Sequence, residues 1–281
     1  MDLPPLYAAG LVLVVTLANV LALRVLAAVT GAKSVGEGAN GASRLLYMGQ
    51  VFAALLVASS AVKNAAEGAT FSRDLAWSLA LGVLGTVLVV VVGRLGLGLL
   101  LAAKLPKEIE RGNSAAGLAA GAHFAATGII TSRAIAGSDL RGLALSFAFF
   151  ALAQVTLHVF VTLFRIVTSY DDAEQIQGEN MAAAISYGGV ALAIAIIVAR
   201  ALEGNFTGWT SSLRGYAGVL VTLVALYPVR QVFVQMVLLG GGFSLHGGFI
   251  DRAVAGERSE GIAAIEAVSY LATAFAVARL A

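Results

Sequence analysis

Eight runs of about 20 predominantly apolar residues follow one another along the chain, and about 20 such residues make a helix that crosses the hydrocarbon of a bilayer. They lie near Leu6–Val29, Ser43–Val62, Leu75–Leu101, Ala115–Ile135, Leu140–Val167, Ala182–Leu202, Tyr216–Leu239 and Ile262–Leu280. Runs this long favour helices over the ten-residue alternation of a membrane barrel. Most breaks are short, as between antiparallel neighbours. The reading is an all-α polytopic transmembrane helix bundle of about eight spans. A soluble globule is excluded, because only 12% of the 281 residues are charged against roughly 25% in an average soluble domain. The second run is diluted by Arg44, Gln50 and Lys63 and is expected to lie against other helices. The segment MDLPPLYAAGLVLVV has no basic stretch before its apolar part and reads as the first span rather than a cleavable signal.

One stretch recurs. Glu108–Gly137, EIERGNSAAGLAAGAHFAATGIITSRAIAG, is echoed by Gln175–Gly204, QIQGENMAAAISYGGVALAIAIIVARALEG, with Asn113 matching Asn180, Gly121 matching Gly188 and Arg133 matching Arg200. Asn40-Gly41-Ala42-Ser43 echoes it again, and Gly261-Ile262-Ala263-Ala264 more faintly, without the asparagine. The preceding spans each carry an arginine, Arg24, Arg94, Arg165 and Arg230, at separations of 65 to 71 residues. Two independent markers with one period point to four pseudo-repeated helical hairpins. Residues 1–138 would hold the first pair and 139–281 the second, within one membrane domain.

The motif Glu-Ile-x-x-Gly-Asn-x-Ala-Ala followed by glycine, here Glu108–Gly121, resembles the bacterial YjfL-like membrane family, known as domain of unknown function 350. The resemblance is good over the second and third hairpins, moderate over the first and poor over the fourth. It implies two-helix repeats, a doubled form of the common four-helix protein, and a place in the bacterial inner membrane. It brings no assigned activity, and some members are encoded near proteins of the envelope-stress type.

Asn40, Asn113 and Asn180 precede helix starts, where asparagine caps an orphan N–H; the alternative is a polar ring lining a vestibule. Gly117, Gly121 and Gly128 share one helix face and Gly188 repeats it, a pattern that lets helices approach closely in lipid; the alternative is a ligand groove. The four arginines would be interfacial anchors or partners of loop carboxylates such as Glu108, Asp171 and Asp172. Otherwise they form a cationic lining for an anionic headgroup or a conducted anion. Arg94 lies inside an unbroken apolar run and Arg230 follows Pro228 in mid-span, and such residues usually face the protein interior. Gln154, His158 and Arg165 share a helix face; Tyr227, Gln231 and Gln235 make a second polar stripe. Glu266 is the acidic residue set deepest in an apolar run, with Arg230 as its expected partner. His123 is read as hydrogen-bonded inside the bundle.

No hydrolase triad, HExxH or Walker loop is present, cysteine is absent, and no metal or cofactor is expected. A net charge of +2 with scattered cations gives no reason to expect nucleic acid as a partner. The expected partners are membrane lipid, a second copy of the chain and an envelope-stress protein. Two functions follow: a non-enzymatic scaffold or lipid-interacting module linked to envelope maintenance, or a repeat-based ion or small-solute transporter or channel.

Overall fold

The structure is a computed structural model, and it describes residues 4–29, 39–68, 70–101, 104–137, 139–204, 206–244 and 246–280. Eight helices among them are long and apolar enough to cross a membrane. They are α1 (Pro5–Val29), α2 (Gly41–Ala65), α3 (Phe71–Leu100), α5 (Ser114–Ala134), α6 (Leu140–Val167), α8 (Met181–Ala201), the composite span Trp209–Leu238 and α12 (Glu260–Leu280). Among the described residues three short helices lie between spans: α4 (Leu105–Arg111), α7 (Asp172–Gln177) and α11 (Phe249–Asp251), which runs on into a π turn over Arg252–Gly256.

The spans form two rows. The inner row runs α2, α5, α8, α12 in space, each packed against the next. Outside it lie α1 on α2 and α3, α3 on α2 and α5, α6 on α5 and α8, and the composite span on α8 and α12. The innermost spans are α5 and α8. The dilution of α2 therefore marks a helix with protein on several sides, but its neighbour α5 is more enclosed.

Small residues set the spacing of the inner row, since lipid supplies no hydrophobic drive for helices to meet. A Cβ added to Gly117 would sit 2.6 Å from Ala42 Cα, and one on Gly128 2.6 Å from Ala53 Cα, so both glycines press α5 on α2. Gly121 faces Gly49, where an added Cβ would lie 2.6 Å from Gly121 Cα. Gly188 turns toward Ala122 of α5, and its neighbour Gly189 meets α12 at Ala267. The glycines line helix contacts and no groove.

The asparagines do two jobs with one side chain. Each caps its helix through Oδ1, Asn40 accepting from Ser43 N–H at 2.8 Å, Asn113 from Ala116 N–H at 3.0 Å and Asn180 from Ala183 N–H at 3.3 Å. Each Nδ2 then reaches the following hairpin: Asn40 donates to the Ile109 carbonyl, Asn113 to that of Ile176 and Asn180 to that of Val254, all at 2.8 Å. These bonds form a one-way ladder along one face of the bundle. Asn113→Ala removes a cap together with a rung and is expected to lower stability by about 2 kcal/mol, measurable as a lower unfolding midpoint in detergent.

The composite span departs from a regular α-helix. α9 (Trp209–Leu220) passes into a 3-10 stretch over Val221–Ala225, then α10 (Leu226–Pro228), then a π-helix over Val229–Leu238. Pro228 lacks the N–H that an α-helix needs and crowds the preceding turn. The wider π turns bury Arg230, Gln231, Val234 and Gln235 together.

Candidate functional site

Among the described residues the largest fully buried side chain is Arg230, placed by the π-helix against α12 and the α11 loop. Its Nε lies 2.5 Å from Glu266 Oε1, and its Nη2 contacts Asp251 Oδ1. One cation thus meets two carboxylates, and the surplus negative charge is spread over further donors. Ser186 Oγ donates to Glu266 Oε2 at 2.7 Å, Tyr270 Oη donates to Glu266 Oε1 at 3.0 Å, and the Ser169 N–H donates to Asp251 Oδ2 at 2.6 Å. In the amide orientation that satisfies its neighbours, Gln231 accepts from Arg230 Nη1 at 3.1 Å. Gln235 donates to the Gly242 carbonyl at 2.7 Å and holds the loop that carries Asp251.

Beside this cluster lies a cavity of about 20 Å³, room for one water molecule, walled by Arg165, Thr168, Tyr170, Asp172, Ser186, Tyr187, Arg230, Glu266 and Tyr270 among others. Arg165, Thr168 and Tyr170 also wall an open vestibule of about 460 Å³ on the ladder face, with Asp171 and His246. Arg165 Nη2 stands 3.1 Å from Asp171 and its Nε 3.2 Å from Asp172, and it also donates to the Leu100 carbonyl. Burial pushes the Asp172 carboxyl up to about 7, with Arg165 opposing the shift and Glu266 and Asp171 adding to it. Burial also pushes the Tyr170 hydroxyl well up, which keeps it protonated.

The folded state holds the Asp172 proton that the unfolded chain has lost between pH 4 and 7, roughly. Stability therefore falls as pH rises through that window, by on the order of 4 kcal/mol for this group alone, and flattens above it. Asp172→Asn is expected to flatten that slope, read as the unfolding midpoint against pH.

A second polar group sits deeper. His123 of α5 is fully buried and meets Tyr187 Oη of α8 through Nδ1 at 3.2 Å. His158 of α6 is half-buried, its Nδ1 is 2.6 Å from the Gln154 carbonyl, and its ring lies edge-on to that of His123 with centroids 5.5 Å apart. Both Nε2 atoms turn toward Gly96 of α3, where an added Cβ would sit 2.5 Å from His123 Nε2 and 2.9 Å from His158 Cε1.

The four arginines do not share one surrounding. Arg165 and Arg230 line the cavity, whereas Arg24 and Arg94 lie exposed on the outer surface. Arg94, expected to face the interior, is six residues from the end of α3, near enough for its long stem to carry the charge toward the interface. The face of Gln154, His158 and Arg165 divides, Arg165 to the cavity and His158 to His123. Asp251, Ser186, Tyr170, Tyr187 and Tyr270 went unnoticed in the sequence; Asp251 sits in the Gly-rich link just after Gly247 and Gly248, whose φ values of 73° and 114° suit glycine. Asn19 and Asp74 were also missed. Asn19 donates to the Ala54 carbonyl at 3.1 Å, and Asp74 accepts from Tyr7 Oη at 2.7 Å and from two backbone N–H groups. Among the described residues no three His, Cys, Asp or Glu are grouped to hold a metal.

Comparison with known proteins adds a family. A UPF0719 transmembrane protein of Aquifex aeolicus (strain VF5) is 27% identical over 106 residues, which is 37% of this chain and 40% of the relative's own length. No solved structure matches. The family described as Domain of Unknown Function (DUF350) matches residues 137–280. That segment carries Arg165, Asp172, Arg230, Asp251 and Glu266, and it begins beyond the Glu108–Gly121 motif on which the resemblance was read. With just over half its length matched, this multi-pass membrane protein belongs to the DUF350 family.

Proposed function

We propose that the chain is a non-enzymatic transporter or channel for an ion of proton size, taken up on the ladder face of the bundle. The observation that carries this reading is the junction of vestibule and cavity at Arg165, Thr168 and Tyr170. A space of about 20 Å³ admits a water or a proton and no larger solute. The charges around it are held by ion pairs and hydrogen bonds within the protein, and burial raises the Asp172 carboxyl to about 7. Internal duplication, residues 1–138 against 139–281, belongs to the proposal, since transporters often place their sites between repeats.

The second reading is a scaffold or lipid-interacting module of the bacterial inner membrane, linked to envelope maintenance or membrane stress and acting alone or as a homo-oligomer. The closed Arg230 cluster and the asparagine ladder support it, because both hold the hairpins rigidly together. Liposomes containing the protein and a pH-sensitive dye, placed under an imposed membrane potential, separate the two. Luminal acidification that drops about tenfold in Asp172→Asn and is also altered by Glu266→Gln is the expected result. Acidification no faster than in protein-free liposomes would sink the transport reading and leave the scaffold.

A further inference from the structure

The 28 residues of α6 rise about 42 Å at 1.5 Å each, against a hydrocarbon core of about 30 Å. Its ends therefore stand in the headgroup layer of the bilayer, and Thr162, Arg165 and Ile166 near its last turn wall the vestibule. Val155, Val159, Leu163 and Ile166 are exposed along one face of the same helix. A stripe that meets acyl chains thus ends inside a polar recess. At about 460 Å³ the recess has the size of a small-molecule pocket and far exceeds what a proton requires.

The recess is electrically two-sided. Arg165 Nη2 and Asp171 Oδ1 stand 3.1 Å apart on its wall. Asp171 accepts from Arg165 and from the N–H groups of Ala173 and Glu174, and all three bonds end on Oδ1 rather than Oδ2. Arg165 carries five N–H groups, and its contacts with Asp171, Asp172 and the Leu100 carbonyl take three of them. Ser169 and His246 add a hydroxyl and a ring N–H to the wall. A purely anionic ligand would meet the Asp171 carboxylate as well as Arg165. A quaternary ammonium has no N–H to give and is held by aromatic cages, which Tyr170 alone does not make. The match is a phosphate and a primary ammonium joined by a short link, laid antiparallel to the Arg165–Asp171 pair.

We propose that the vestibule binds the headgroup of a phospholipid carrying a primary amine. Its phosphate rests on Arg165, Ser169 and His246, its ammonium on Asp171 Oδ2, and an acyl chain follows the exposed stripe of α6. The site goes beyond the transport reading and does not depend on it. Arg165, Thr168 and Tyr170 wall both spaces, so a seated headgroup lies over the mouth of the inner cavity. His246 belongs to the Gly-rich link, so an occupied site also fastens that link to the end of α6.

Native mass spectrometry of the full chain in detergent tests this, with short-chain phosphatidylethanolamine, phosphatidylcholine or phosphatidylglycerol titrated in. Phosphatidylethanolamine is expected to bind about tenfold more tightly than either of the others, the effect of one charge-assisted hydrogen bond. Asp171→Asn keeps an oxygen to cap α7 and is expected to erase that preference. His246→Ala is expected to weaken phosphatidylethanolamine and phosphatidylcholine alike, by about threefold. Equal binding of the three lipids, a preference for phosphatidylglycerol, a preference that survives Asp171→Asn, or an unaltered affinity in His246→Ala would each overturn the site. Glycerophosphoethanolamine, the same headgroup without acyl chains, is expected to leave the lipid bound at equal concentration. Full displacement would overturn the lipid and point to a soluble amino phosphodiester instead. Acidification in liposomes is a separate readout, and its absence would sink the transport reading without touching the lipid measurement.

Discussion

Replacing Arg230 with alanine is expected to destabilise the protein by about 3–5 kcal/mol, the range for removing one partner of a buried ion pair. The reason lies in what remains. Glu266 and Asp251 are each 1% exposed, and without the guanidinium two carboxylates would face each other across a low-dielectric interior. The unfolding midpoint in detergent should therefore drop sharply for Arg230→Ala. Combining it with Asp251→Asn and Glu266→Gln should recover a large part of the loss, because the stranded charges are then gone. A single variant as stable as the parent would mean that the cluster is reached by water and does not close the bundle.

Gly49→Ala should cost about 1–3 kcal/mol, the usual range for forcing a methyl into a packed interior. The new Cβ would fall 2.6 Å from Gly121 Cα, backbone against backbone, so relief requires α2 and α5 to move apart as whole helices. Gly98→Ala is the matched control. It lies in α3, an added Cβ there meets nothing within 4 Å, and alanine in a helix is favoured over glycine by about 0.4–1 kcal/mol. Unfolding measurements should give opposite signs for the two, and equal effects would remove helix approach as the cause.

The helices were legible in the sequence because a bilayer leaves few alternatives: each span had to be long, apolar and helical, and the eight runs coincide with the eight spanning helices. The inward glycines were legible for the same reason, since small residues repeated on one face have few uses in lipid. Arg94 was not, because sequence depth counts residues while a long side chain moves its charge by several ångströms. Asp251 was not, because a loop carboxylate reaches the interior only once the Gly-rich link folds back over the π-helix, and nothing local records that return. The histidine pair was invisible for a related reason, as His123 and His158 meet only through the packing of α5 on α6 and the gap at Gly96.

The rungs of the ladder carry one further implication. Each asparagine addresses a main-chain oxygen, at Ile109, Ile176 and Val254, and every amino acid supplies that atom. The receiving hairpin is thus free to change its side chains without losing the joint, while the donating hairpin must keep a single amide. A joint specified on one side only keeps the hairpins in order while the side chains of the receiving segment vary.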